Sequence, residues 1–171
     1  MKPLIRPALE ADFEAIERIE NSADRLLTDW LKAGPWDPAP TGAERAAQPG
    51  FILVAESPEG GASGFVHVIE RDGAAHLEQV SVLPEHGRRG VGTALVLAAK
   101  NEAAARGYLE LTLRTFVDVP WNAPFYARLG FVPSVPTTSF QRLLLEAEGR
   151  LGLEGYGARQ QMTASLEAHR P

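Results

Sequence analysis

Hydrophobic positions along this 171-residue chain follow two spacings that alternate from one segment to the next. Spacings of three and four residues, typical of a helix with one buried face, occur in residues 13–31, 92–106, 120–129 and 137–151. Apolar runs bounded by turn residues, typical of strands, occur in residues 4–5, 51–55, 64–69, 75–83, 108–114 and 158–166. The glycine- and proline-rich region 34–50 predicts a loop with one helical turn at 42–47.

Turn residues indicate how the consecutive strands in the first half are connected. A glycine-containing turn at 58–63 and the pair Asp72-Gly73 favour tight hairpins, so those strands are predicted to be antiparallel neighbours. Asp12 is placed to cap the first helix. We therefore predict a mixed α/β fold in which a mainly antiparallel central sheet is flanked by helices. The length fits a single domain over residues 1–171.

Composition and charge exclude several classes of protein. A net charge of −5 argues against broad nucleic-acid binding, which needs a basic surface. The absence of cysteine excludes disulfides, thiolate metal sites and a cysteine nucleophile. No apolar run approaches the length of a membrane span, so we expect a cytoplasmic protein without a membrane partner. No metal is predicted, because three of the four histidines, His67, His86 and His169, are not spaced along the chain as metal ligands are.

The segment from Val82 to Leu95 joins a strand to a helix through a turn with three glycines and two arginines. Such a junction directs backbone N–H groups and the positive end of the helix dipole to one place, which suits a pyrophosphate. A Rossmann motif would need a third glycine where Leu95 stands, and a P-loop would need a lysine before Thr93. Both motifs fail, which leaves open the nature of the molecule that carries the phosphates.

Three short motifs resemble the Gcn5-related N-acetyltransferase superfamily in order and spacing. They are Val82-Leu-Pro84, Arg89-Gly-Val-Gly92 and Phe125-Tyr126-Ala-Arg-Leu-Gly130-Phe131. Gly87 departs from the pattern, because the superfamily usually has Gln or Arg there. The resemblance implies the acyl-CoA N-acyltransferase fold and acetyl-CoA as the acetyl donor.

The resemblance also implies where acetyl-CoA binds. A V-shaped opening between the strands predicted at 75–83 and 108–114 would leave backbone groups free to pair with the pantetheine arm, as a strand pairs with a sheet edge. Asn122 either contacts the cofactor or caps the following helix. The expected contact residues are Val80, Ser81, Val82, Gly87, Arg88, Arg89, Gly90, Val91, Gly92, Thr93, Asn122 and Tyr126.

Direct acetyl transfer needs a base for the attacking amine and an acid for the departing thiolate. Tyr126 matches the superfamily position commonly assigned to the acid; packing along the cofactor channel is the alternative. For the base, Glu78 is the first choice and His76 the second, with a water relay also open. In a regular strand both would share one face with Val80 and Val82, whereas a bulge would break that parity and reverse the order of the two candidates.

These features predict an acetyl-CoA-dependent N-acetyltransferase acting on a primary amine of a small molecule or peptide. The alternatives are a non-catalytic acyl-CoA-binding module on the same fold and a different nucleotide-binding protein. Trp30 and Trp36 flank the loop that usually shapes the acceptor site in this superfamily, although packing is the favoured role for both. Asp118 is either a contact for a cationic substrate or a surface-loop residue. A homodimer through the C-terminal strand is possible.

Overall fold

The computed structural model describes residues 2–167 and contains one seven-stranded sheet with helices on both faces. The strands, β1 to β7 in chain order, span Ile5–Pro7, Gly50–Glu56, Ala62–Arg71, Ala74–Val82, Glu110–Phe116, Val132–Ser134 and Arg159–Ser165. The α-helices, α1 to α5, span Phe13–Leu31, Gly42–Ala46, Val91–Ala105, Ala123–Ala127 and Ser139–Leu151. His169 lies outside the described residues.

The sheet has the order β1-β2-β3-β4-β5-β7-β6, and β4 and β5 form its parallel pair. The other neighbouring strands pair in antiparallel fashion. A tight turn allows β3 and β4 to pair in antiparallel fashion, because Asp72 and Gly73 in that turn adopt φ of 53° and 72°. The predicted mixed α/β fold with a mainly antiparallel sheet is therefore confirmed.

Each face of the sheet carries its own hydrophobic cluster. On one face, α3 buries Leu95, Val96 and Ala99 against strand residues that include Leu77 and Leu111. On the other face, helix α1 contributes two fully buried residues to a smaller cluster: Ile16 and Ile19 pack with Ile52, Val54 and Phe65. The amphipathic spacing of α1 thus places one helix over the N-terminal half of the sheet, opposite α3.

Two details of the predicted secondary structure were wrong or incomplete. Asp12 makes no side-chain cap at the start of α1; its carboxylate instead accepts bonds from Arg6, at 2.7 and 3.0 Å, and from the Leu9 N–H at 2.8 Å. The short strand β6 was not predicted, because three residues that include a proline are too few to show an alternating hydrophobic pattern. Within residues 2–167, no helix combines the length and apolarity needed to cross a bilayer.

Candidate active site

The parallel strands β4 and β5 stay together for a short distance and then part. They pair from Ala75 opposite Leu111 to Leu77 opposite Leu113. Beyond that point β4 remains paired with β3 alone, and β5 remains paired with β7 as far as Phe116. The result is a fork between two neighbouring strands in the middle of the sheet, as the sequence predicted.

The edge of β4 that faces the fork presents unpaired backbone groups at alternate residues. The Leu83 N–H donates to the Ser63 carbonyl at 2.9 Å, which fixes the phase of the β3–β4 ladder. Because backbone groups alternate in direction along an antiparallel strand, the N–H and C=O of Val80 and Val82 point into the fork. Those of Ser81 point to β3, and its hydroxyl accepts a bond from Gln79 at 3.0 Å. Ser81 therefore does not lie on the open edge.

The glycine turn follows β4 directly and ends at the N-terminus of α3. Gly90 adopts φ of 79°, and Arg88 adopts φ of 58°, which is unusual for a residue with a Cβ. No side chain caps α3 among the described residues. Its first intrahelical bond runs from Ala94 to the Gly90 carbonyl at 2.9 Å, so the N–H groups of the preceding residues are oriented toward solvent or a ligand. This exposed, positively charged helix start is suited to an anion.

The three motifs of the sequence meet at Gly92. A Cβ built on Gly92 would lie 3.6 Å from the Phe125 ring and 3.8 Å from Val82. The helix start, the fork and the aromatic pair of α4 therefore share one small volume. Asn122 occupies the N-cap position of α4 but makes no side-chain capping bond, so capping does not account for its amide.

A β-bulge in β4 changes which residues share a face. His67 on β3 pairs with Gln79, whereas Val68 pairs with Leu77, so Glu78 has no partner across the ladder. Leu77 before the bulge and Val80 after it both pack on the cluster under α3. The shared face expected of a regular strand for His76, Glu78, Val80 and Val82 therefore does not form, because the extra residue of the bulge shifts the alternation by one.

The bulge separates the environments of the two candidate bases. His76 is buried, with Nδ1 2.8 Å from the Thr112 hydroxyl and its ring edge-to-face with Phe140. Burial lowers the pKa of His76 to about 4, so its imidazole is neutral near pH 7. Glu78 keeps an exposed side chain on the bulge beside the fork. Although the residue reaches solvent, the protein packed around its carboxyl desolvates that group and raises its pKa, and the positive charge of Arg45 opposes the rise.

Tyr126 lies on the other side of the fork, at the end of α4. Its ring is buried and packs edge-to-face on Phe125 and Phe131, with centroids 5.1 and 5.8 Å away. Desolvation raises the pKa of the phenol further above its ordinary value. The side chain is therefore protonated at neutral pH, as a proton donor must be.

Two buried ionic networks on the face opposite α3 were not predicted. Arg45 binds the Glu20 carboxylate at 2.6 Å and donates to His67 Nδ1 at 3.0 Å. The Glu148 carboxylate on α5 forms ion pairs with two arginines of the sheet, Arg114 at 2.9 Å and Arg159 at 2.6 Å. The partners come from segments distant in sequence, so no local pattern indicates them.

Comparisons with known proteins agree with this geometry. Residues 48–133 match the family model described as an acetyltransferase (GNAT) domain. The chain is 32% identical over 108 residues to the aminoglycoside N(6')-acetyltransferase type 1 of Klebsiella aerogenes, covering 58% of this chain and 71% of that protein.

Two further comparisons give the range of the similarity. The chain is 31% identical over 106 residues to the mycothiol acetyltransferase of Clavibacter michiganensis, covering 58% of this chain but 34% of that protein. The crystal structure of a Gcn5-related N-acetyltransferase from Rhodopseudomonas palustris superposes with a TM-score of 0.68 at 27% identity and covers 97% of both chains.

Proposed function

Because this chain belongs to the Gcn5-related N-acetyltransferases, which transfer acetyl groups from acetyl-CoA, we propose that it acetylates a primary amine of a small molecule or peptide directly. The observation that carries the proposal is the alignment of the β4–β5 fork with the uncapped start of α3. The fork offers a strand-like edge for an amide-bearing chain, and the helix start offers donors for phosphates.

In the proposed complex, backbone groups of Val80 and Val82 pair with the two amides of the pantetheine arm. The N–H groups from Arg88 to Thr93 receive the pyrophosphate, and the exposed side chains of Arg88 and Arg89 add positive charge. Gly90 permits the left-handed turn that directs these donors outward. Asn122 is placed at the start of α4 to contact the cofactor with its uncommitted amide.

Acetyl-CoA supplies an activated acyl group and a thiolate leaving group. An alkylammonium has a pKa of about 10, so the acceptor must lose a proton before its nitrogen can attack the thioester carbonyl. We assign this proton to the Glu78 carboxylate, because its raised pKa makes it a stronger base than an ordinary glutamate while Arg45 favours its ionised form. Tyr126 donates its phenolic proton to the thiolate as the carbon–sulfur bond breaks, which leaves an amide and free CoA.

The acceptor is a small molecule in the aminoglycoside N(6')-acetyltransferase to which this chain is similar. That likeness favours a small-molecule amine over a peptide.

Release of free thiol from acetyl-CoA in the presence of a panel of amines tests the proposal. We expect Glu78→Gln and Tyr126→Phe each to lower kcat by roughly 100-fold or more, since general acid–base catalysis contributes factors of that size. Glu85→Gln, an exposed glutamate beside the turn, serves as the matched control and should keep full activity. Tight binding of acetyl-CoA without turnover on any amine would contradict the proposal.

A further inference from the structure

A cavity of about 220 Å³ opens at the far end of β5, on the face of the sheet opposite α3. Its aromatic walls come from three separate segments: Trp30 near the end of α1, Phe116 at the end of β5 and Tyr156 before β7. Lys32 and Asp118 are its charged lining residues. The cavity therefore combines apolar rings with one charge of each sign.

Two of the three aromatic walls, Trp30 and Tyr156, are exposed to a degree that packing alone does not require, whereas Phe116 is buried. Trp30 retains 54% of its accessible surface and packs edge-to-face on Trp121, with centroids 5.3 Å apart. Tyr156 is also exposed and rests on the Trp36 ring, with centroids 6.3 Å apart. Each exposed ring thus contacts a second ring and still retains a large accessible surface. Clustered exposed rings of this kind mark binding sites on soluble domains.

The cavity adjoins the proposed reaction centre. Phe116 lies three residues beyond Leu113, the last residue of β5 that pairs with β4, so about 10 Å separate it from the fork. The guanidinium of Arg159 stacks on the Phe116 ring at 4.5 Å. The same positive charge acts on the pKa values of both Glu78 and Tyr126. Arg159 therefore contacts the aromatic wall and lies near the two groups assigned to proton transfer.

Size and charge limit what can occupy this space. A cavity of about 150 Å³ is known to hold one benzene molecule, so this cavity holds one ring with a short chain. Lys32 and Asp118 have opposite charges, so the lining does not select a polycation. The distance to the fork matches a ring joined to its amine by a few methylene groups.

We propose that this cavity is the acceptor subsite and that the acceptor is a primary amine carrying an aromatic ring on a short aliphatic chain. The inference rests on the proposed acetyl transfer, because the ring is the part of the acceptor that does not react. Trp30 and Tyr156, the exposed aromatic residues of the lining, bind the ring and thereby hold the amine at Glu78.

The test compares kcat/KM for 3-phenylpropylamine, n-propylamine and the polycation spermidine. We expect at least a tenfold preference for the ring-bearing amine over n-propylamine, in line with the discrimination that an apolar pocket provides. Trp30→Ala and Tyr156→Ala should each reduce that preference about tenfold, and Trp30→Phe should retain most of it. Leu97→Ala, which removes an exposed side chain on α3, should leave it unchanged.

A binding measurement separates failure of this inference from failure of the proposed function. Calorimetric binding of the product N-(3-phenylpropyl)acetamide reports on the cavity without turnover, and we expect Trp30→Ala to weaken it about tenfold. If no amine is acetylated but this binding depends on Trp30, the proposed function fails and the ring subsite stands. Acetylation with equal kcat/KM for the three amines would overturn the inference. A preference for spermidine that Asp118→Asn removes would also overturn it.

Discussion

Replacing Gly90 with alanine should weaken the binding of acetyl-CoA by a free energy at least as large as the loss in folding stability. Gly90 adopts φ of 79° at the N-cap of α3, and no atom lies within 4 Å of the position that a Cβ would take. The substitution therefore causes no clash. Its cost is the strain of a left-handed conformation for a residue with a Cβ, about 1–2 kcal/mol.

The expected loss of affinity follows from what the turn is proposed to hold. If the turn relaxes to avoid that strain, the N–H groups of neighbouring residues rotate away from the pyrophosphate. Each hydrogen bond to a charged group contributes about 1.5–3 kcal/mol, so loss of one such bond raises the Kd for acetyl-CoA by roughly 10- to 150-fold.

Gly107 provides a matched control for this substitution. It adopts φ of 92° after the C-terminus of α3, again with no atom within 4 Å of a Cβ position. Gly107→Ala should lose a similar free energy of unfolding in urea but keep its affinity for acetyl-CoA, measured by calorimetry. Equal Kd values for the two variants would refute the placement of the pyrophosphate on the turn.

Three further predictions concern ionisable groups whose pKa values or ion pairs are set by the fold. His76 has a folded-state pKa of about 4 against 6.5 in the unfolded chain, so its contribution to folding stability is fully present above pH 6.5 and is lost as the pH falls toward 4. The difference in unfolding free energy between the wild type and His76→Gln should therefore fall by about 3 kcal/mol between pH 7 and pH 4. A difference that stays constant over this range would contradict the prediction. Arg45→Met should destabilise the fold by about 3 kcal/mol at pH 8, because it leaves the Glu20 carboxylate buried without its cation. That penalty should shrink at pH 5.5, since Glu20 has a raised pKa of about 7 and is then protonated; urea denaturation at the two pH values checks the direction. The acid limb of the pH profile of kcat/KM should have an apparent pKa above that of an ordinary glutamate, and this limb should disappear in Glu78→Gln. An unchanged limb in that variant would show that another group is the base.

Local features of the sequence were enough to predict the glycine turn and the aromatic pair to which we assign the cofactor. The turn between Gly87 and Gly92 is recognisable because glycine conformation and the start of a helix are both local properties. The Phe125-Tyr126 pair follows at a spacing that marks the same family. These segments come together in the structure at Gly92, without any long-range information having been needed to select them.

The acceptor side depends on contacts that a single sequence does not contain. The face occupied by Glu78 is set by the register of β3 against β4, since the bulge lies opposite the His67–Val68 step. Likewise, Arg45 meets Glu20 and His67 only because α1 and the short helix α2 pack over the same part of the sheet. Strand register and helix packing depend on the whole fold, so the alternation of side chains along β4 alone could not predict them.

Hydrogen–deuterium exchange resolved to single amides, with and without CoA, tests the location of the donor site most directly. We expect CoA to slow exchange at Val80, Val82 and the amides of residues 88–93, which face the fork or the open helix start. Gln79 and Ser81 should already exchange slowly without CoA, because their N–H groups face β3. Protection that is uniform along β4, or confined to other elements, would contradict the account.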